Sequence, residues 1–136
     1  YHLKTYVHYA KLGKVYIAPF DVELENGTVV QPDVCVLLGE NVGKCLSSRI
    51  VGGPDLVVEV SSPATALYDR RQKYMAYARA GVKEYWLVEP KQKSIEVFFL
   101  EQGGYRSRGV FCEGEVVETR LIEHFPVRAE ECFEER

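Results

Sequence analysis

A single long helical pattern set among short strand patterns limits the folds open to this chain. The helix begins after Ser61-Ser62-Pro63, where a serine cap and a proline at a first helical position are typical of a helix N-terminus, and it ends near Gly81. Apolar strand patterns at residues 55–60 and 84–88 flank it. This order predicts an α+β or mixed α/β fold, in which one dominant helix docks on a sheet.

Turn residues divide the rest of the chain into short segments. Asn26-Gly27 is typical of a β-hairpin and lies between extended segments at residues 14–24 and 28–38. Pro32 removes one ladder donor from the second segment, which indicates an edge or a bulge there. The remaining predicted elements are a helical pattern at residues 2–11, a glycine-containing loop at 39–54, and strands at 94–100, 105–111 and 115–118.

Length and charge restrict the class of protein. A chain of 136 residues suits one domain with one core, so we expect a single domain over residues 1–136. The opening Tyr1 in place of a methionine indicates an N-terminal truncation. With 20 acidic and 17 basic residues the net charge is -3, which disfavours avid, non-specific coating of nucleic acid and leaves a local basic patch open.

Cysteine usage and hydropathy indicate the compartment. The four cysteines form no C-x-x-C pair, which predicts a reduced, cytoplasmic protein without structural zinc. No stretch approaches the roughly 18 apolar residues of a membrane span, so we expect no membrane partner.

A carboxylate interrupts the most apolar strand pattern, Leu56-Val57-Val58-Glu59-Val60. An ionised glutamate is costly to bury alone, so Glu59 is expected to reach water, meet a cation or bind a metal ion. A strand with one solvated face explains the same residue without any function. The partners of Glu59 decide between these interpretations.

Asp33 is the predicted acidic partner of Glu59. It follows Pro32 in the preceding strand segment, and acids on neighbouring strands, about 4.8 Å apart, can converge on one divalent ion. Asp55 shares the face of Glu59, but four residues of one strand separate their backbones by about 13 Å. One ion cannot easily bind both, so we expect Asp55 to begin the strand.

The helix provides a candidate cation, Lys73. At about 100° per residue, a stripe of mainly small residues surrounds Lys73: Ala66, Asp69, Ala76, Tyr77 and Ala80. A helix that packs on the sheet by this stripe brings Lys73 toward Glu59. An Asp69–Lys73 ion pair on a solvated face accounts equally well for the spacing.

Two acids and a lysine suit metal-dependent phosphodiester hydrolysis, in which the acids hold Mg²⁺ and the lysine orients or activates water. In the same segments the chain resembles the Uma-type restriction endonuclease family, a branch of the PD-(D/E)XK nuclease superfamily. The resemblance rests on residues 29–34 (VVQPDV), residues 53–63 (GPDLVVEVSSP), Asp69, Lys73, Tyr77 and residues 81–90 (GVKEYWLVEP).

The resemblance implies a restriction-endonuclease-like mixed sheet flanked by a helix that carries the lysine. It implies Asp33, Glu59 and Lys73 as catalytic residues, with Asp33 and Glu59 as metal ligands. The superfamily's lysine normally follows the glutamate by two residues, where this chain has Ser61; in this family it lies on the following helix, which matches Lys73. An acid that many superfamily members carry in their first helix has no counterpart in residues 1–11.

The expected function is a Mg²⁺- or Mn²⁺-dependent DNA endonuclease that acts as a homodimer, with Asp69 or Tyr77 orienting Lys73. The alternative is a catalytically inactive domain of the same fold, acting as a DNA-associated or self-associating module. The sequence assigns no DNA-contacting residue. Basic residues cluster around the helix, and a solvated helix face explains them equally well: Arg70, Arg71, Arg79 and Lys83.

Overall fold

The computed structural model describes residues 13–24, 27–46, 48–61 and 67–121, and the side chains of residues 67–70 are not among the groups described. The predicted helix at residues 2–11 and the predicted cap at Ser62-Pro63 lie outside these ranges. The strands in chain order are β1 (Gly13–Ile17), β2 (Asp21–Glu23), β3 (Val29–Val30), β4 (Val34–Leu38), β5 (Cys45–Leu46), β6 (Arg49–Val51), β7 (Leu56–Val60), β8 (Glu84–Glu89), β9 (Ser94–Glu101) and β10 (Gly104–Phe111). A 3-10 helix (Gly39–Lys44) lies between β4 and β5, and the α-helix α1 (Leu67–Arg79) lies between β7 and β8.

A six-stranded mixed sheet forms the centre of the fold, in the order β1-β4-β7-β8-β9-β10. Strands β7 and β8 pair in parallel, and the other neighbours pair antiparallel. Parallel neighbours need a crossover connection, and α1 lies within the segment that joins β7 to β8. The predicted combination of a mixed sheet and one flanking helix is confirmed.

A second, smaller sheet has the strand order β3-β2-β6-β5. The strands of this sheet differ in part from those predicted from the sequence. The predicted hairpin forms between β2 and β3, with Gly27 at a φ of 81°. The predicted continuous strand 28–38 is wrong, because the chain leaves the small sheet near Pro32 and enters the large one as β4.

Two further local predictions are wrong. Residues 39–54, predicted as a loop, contain the 3-10 helix, β5 and β6; β6 forms because it pairs in parallel with β2, which is distant in sequence. The predicted strand at residues 115–118 is reduced to an isolated bridge residue, Val116.

The core has a cluster of buried side chains on each face of the large sheet. One cluster contains Leu56 and Val58 of β7 with Trp86 of β8. The other contains Val57 of β7 and Tyr77 of α1, together with residues of the small sheet. Since side chains alternate along a strand, Glu59 points to the same face as Val57, which is the face that α1 covers.

Candidate active site

The register of β4 and β7 sets the two acids opposite each other. Val34 pairs with Val58 at the last bonded position of this antiparallel ladder. One residue further along, Asp33 immediately precedes β4 and Glu59 lies near the end of β7. Directly opposed residues on antiparallel strands have Cβ atoms about 4.5–5.5 Å apart, so the two carboxylates lie at one end of the sheet.

Reciprocal hydrogen bonds tie the acids together across the strands. The backbone N–H of Asp33 donates to Glu59 Oε1 at 3.2 Å. The backbone N–H of Val60 donates to Asp33 Oδ2 at 2.7 Å. Glu59 is buried at 6% exposure, whereas Asp33 is half-buried and reaches solvent. Each acid therefore helps to fix the backbone that carries the other.

Helix α1 brings a cation and a hydroxyl to the same carboxylate. Lys73 Nζ lies 3.4 Å from Glu59 Oε2, and the Tyr77 hydroxyl donates to that oxygen at 3.0 Å. The side chain of Lys73 is 43% exposed, so its ammonium also faces solvent. Lys73 and Tyr77 are four residues apart and share one face of the helix, which explains why both reach one oxygen.

Burial and the neighbouring positive charge shift the pKa of Glu59 in opposite directions. Burial raises the pKa of this carboxyl above its ordinary value, while the Lys73 charge, the Asp33 N–H and the Tyr77 hydroxyl lower it. Burial also raises the pKa of Tyr77, and the neighbouring Glu59 adds to that effect. Tyr77 therefore remains a protonated hydrogen-bond donor throughout the physiological pH range.

The donor set fits a small, hard cation. Mg²⁺ is held by carboxylate oxygens, often only one or two from the protein, and keeps several waters. In the described part of the chain, Asp33 Oδ1 accepts no hydrogen bond, and Oε1 of Glu59 faces the same acid. No group of three or more histidine, cysteine or acidic residues that could hold a metal occurs among the described residues. Asp33 and Glu59, with the carbonyl of Val60 nearby, could hold such an ion.

Asp55 lies at the opposite end of β7 and has a different environment. Its carboxylate accepts from the Leu38 N–H at 2.7 Å and from Asn41 Nδ2 at 2.8 Å. Lys83, whose side chain is exposed, has its Nζ 3.6 Å from Asp55 Oδ1. Asp55 thus joins the start of β7 to the 3-10 helix, far from Glu59.

The other residues predicted on or near the helix do not all lie at this site. Arg71 and Arg79 are exposed, and the side chains of Asp69 and Arg70 lie outside the described groups. The sequence predicts that Tyr77 orients Lys73, and in the structure the Tyr77 hydroxyl contacts Oε2 of Glu59. The four-residue spacing between Lys73 and Tyr77 is the sequence signal for their contact with the same oxygen.

Glu84 is a third buried acid, beside Asp55 and Glu59, and it is not among the site residues predicted from the sequence. Trp86 Nε1 donates to Glu84 Oε1 at 2.7 Å, and the Arg120 N–H donates to Oε2 at 3.2 Å. The bond from Arg120 joins β8 to the segment that follows β10, while the bond from Trp86 lies within β8. Glu84 is the first residue of β8 (EYWLVE), ahead of the apolar residues 85–88, and an acid at a strand end is ordinarily solvated, so no local signal distinguishes it.

Comparisons with known proteins agree with this architecture. A family model named Uma2, described as "Putative restriction endonuclease", matches residues 1–127. The chain belongs to this family. No curated protein matches the chain.

A solved structure has a similar fold. It is described as a "putative nuclease belonging to DUF820" from Anabaena variabilis ATCC 29413, with a TM-score of 0.76 and 15% sequence identity. The match covers 97% of this chain and 74% of that chain. At this identity the likeness establishes the shared fold. Among the described residues, no helix is long and apolar enough to cross a membrane.

Proposed function

We propose that the chain is a Mg²⁺-dependent DNA endonuclease that hydrolyses phosphodiester bonds at the site formed by Asp33, Glu59 and Lys73. The observation that carries this proposal is the convergence of two carboxylates and an ammonium group at one end of β7. Membership of a family described as restriction endonucleases supports the same class of reaction.

Asp33 and Glu59 would hold the divalent cation, Mg²⁺ or Mn²⁺. When bound, the cation supplies charge neutralisation at the scissile phosphate. The protein provides the geometry, because the reciprocal hydrogen bonds between the two strands hold both carboxylates in fixed positions. A preorganised site of this kind needs little rearrangement during the reaction.

Lys73 is suited to act on water and phosphate together. Its ammonium has three donors, and its 43% exposed side chain directs part of the ammonium toward solvent. In the proposed reaction these donors orient the attacking water and offset the charge that develops on the phosphate oxygens. Water adds to phosphorus and the bond to the leaving oxygen breaks; one proton of the water ends on the leaving oxygen as a hydroxyl, and the other passes to the phosphate monoester or to solvent.

Cleavage of both strands of a duplex requires two such reactions. Since each chain offers one site of this composition among its described residues, we propose a homodimer on DNA. If the active form is a homodimer, the ratio of linear to nicked plasmid should rise with protein concentration. Measurement of this ratio tests the proposed homodimer.

Plasmid nicking tests the catalytic assignment. Supercoiled plasmid with Mg²⁺ or Mn²⁺ should be nicked by the wild type and spared by Asp33→Ala, Glu59→Ala and Lys73→Ala. We expect each change to slow nicking by about 10²-fold or more, the size of effect typical of positioned catalytic groups.

Two exposed residues away from the site provide matched controls. Glu40 lies on the 3-10 helix and Lys14 lies near the start of β1, so Glu40→Ala and Lys14→Ala should nick like the wild type. Equal nicking by the wild type and all three site variants would falsify the assignment.

A second candidate is an inactive nuclease-fold module that binds DNA or itself. The observation that favours it is the absence, among the described residues, of a third acid beside Asp33 and Glu59. Gel-shift and sedimentation measurements with purified protein distinguish the two. Retardation of DNA or self-association without nicking, at any Mg²⁺ or Mn²⁺ concentration, favours the module.

A further inference from the structure

Tyr77 joins the protein core to the candidate site. Its side chain is fully buried, and its ring lies against that of Tyr85 with centroids 5.8 Å apart. Its backbone carbonyl accepts the N–H of Val82 at 3.1 Å, just beyond the end of α1. Packing therefore holds both the ring and the backbone, and the hydroxyl has little freedom to move.

The hydrogen bonds divide the two oxygens of Glu59 between different neighbours. Oε2 faces the helix, where it meets the Tyr77 hydroxyl and Lys73 Nζ. Oε1 faces the neighbouring strand, where it accepts from the N–H of Asp33. With one oxygen directed to each side, the plane of the carboxylate is fixed, and Oε1 is the oxygen on the side of the second acid.

We propose that Tyr77 is a positioning residue, which holds Oε2 of Glu59 against α1 so that Oε1 is presented, together with Asp33, to a divalent cation. This role rests on the proposed function, since it assumes that Asp33 and Glu59 bind a metal ion. Because Tyr77 is fully buried, it would act through Glu59 and not by direct contact with DNA. Partners that orient metal-binding side chains commonly account for 10–100-fold in metal affinity.

If the Tyr77 hydroxyl only stabilised the fold, its removal would not specifically weaken metal binding. A second tyrosine allows this structural role to be distinguished from the positioning role. Tyr105 donates its hydroxyl to the Val82 carbonyl at 2.7 Å and packs against the same core cluster. Tyr105→Phe therefore removes a comparable hydrogen bond without touching Glu59. Tyr77→Phe and Tyr105→Phe form a matched pair.

The first measurement is Mn²⁺ binding to the DNA-free protein, followed by the electron paramagnetic resonance signal of the free ion. We expect Tyr77→Phe to weaken Mn²⁺ binding about 10-fold or more, while Tyr105→Phe binds Mn²⁺ like the wild type. In a Glu59→Ala background, Tyr77→Phe should cause no further loss. Thermal unfolding without metal establishes that both variants are folded.

The second measurement is the steady-state rate of plasmid nicking at a fixed Mn²⁺ concentration below saturation. Tyr77→Phe should lower kcat with KM for DNA unchanged, and higher Mn²⁺ should restore part of the rate. Mn²⁺ affinity equal to that of the wild type would overturn the role of Tyr77, and so would equal losses in both tyrosine variants. A wild type that binds no Mn²⁺ would overturn the proposed function, and the positioning role with it.

Discussion

Asp33 and Asp55 both follow a proline, yet their surroundings assign them different roles. Asp33 is half-buried and accepts one backbone N–H, that of Val60. Asp55 is 3% exposed and accepts both a backbone N–H and the side chain of Asn41. An acid that satisfies buried donors stabilises the fold, whereas an acid with an oxygen left free of hydrogen bonds among the described residues can bind a ligand.

Removal of the Asp55 carboxylate should therefore reduce stability. Asp55→Ala leaves the Leu38 N–H and the Asn41 amide without their acceptor, and an unsatisfied buried polar group costs about 1–3 kcal/mol. We expect the free energy of unfolding in urea to fall by about this amount. Below the unfolding transition, Asp55→Ala should still nick plasmid, in contrast to Asp33→Ala. Unchanged stability would contradict the structural role of Asp55.

Glu84 should make the stability of the protein depend on pH. Burial raises its pKa above the ordinary value of 4.5, and hydrogen bonds from Thr119, Trp86 and Arg120 offset only part of this effect. The folded state thus binds the Glu84 proton more tightly than the unfolded state does. The free energy of unfolding should fall as pH rises from the ordinary pKa to the raised one, and the Glu84 contribution should be constant above that range.

The substitution Glu84→Gln tests this linkage. The variant cannot titrate at this position, so the difference in unfolding free energy between wild type and variant should decrease as pH rises through that range. Urea unfolding at a series of pH values measures it. A constant difference between wild type and Glu84→Gln over that range would contradict the prediction.

At the scale of elements, the fit of α1 against the sheet decides whether Lys73 reaches Glu59. The segment before β7 approaches the end of the helix very closely at Gly53. A Cβ atom added at Gly53 would lie 2.6 Å from the Ala80 carbonyl oxygen. The absence of a side chain at Gly53 therefore allows α1 to pack at its observed distance from β7.

Gly53→Ala should push this end of α1 away from the sheet. The contact is with backbone, which cannot rotate aside as a side chain can, so we expect a loss of about 1–3 kcal/mol in the free energy of unfolding. Chemical denaturation measures the loss. Gly43→Ala is the matched control, because an added Cβ there meets nothing within 4 Å. Equal stabilities of the two variants would contradict a close approach at Gly53.

Elements with strong local periodicity could be predicted from sequence, and elements that depend on distant partners could not. The apolar run of β7 and the small-residue stripe of α1 indicate both the strand and the packed helix face. Strands β5 and β6 are two and three residues long and gain their structure from the pairing of β6 with β2. Such pairing is not encoded in any short window of sequence.

At the scale of the whole molecule, strand β7 connects the two core clusters. Leu56 and Val58 belong to one cluster, and Val57, between them, belongs to the other. Because adjacent residues of one strand contribute to both, loss of either cluster exposes β7. We therefore predict that the chain is one cooperative domain.

Two spectroscopic probes test this prediction. Trp86, the single tryptophan, reports on one cluster, and near-ultraviolet absorbance of the tyrosines, with Tyr77 and Tyr85 buried, reports on the other. The two urea transitions should have the same midpoint, as expected for a two-state domain of this size. Val57→Ala should shift both midpoints equally. Separate midpoints would indicate two independent units.

The amino-acid sequence by itself determined the composition of the candidate site. The sequence contains one acid in an apolar strand, a second acid after Pro32 in an earlier strand segment, and a lysine within a helix stripe of small residues; these follow from local periodicity and the cost of burying charge. Only the tertiary structure decided which oxygen of Glu59 each neighbour contacts, and that Asp55 lies with the 3-10 helix. These contacts depend on strand register and helix packing, which bring together residues 14 to 26 positions apart in the chain.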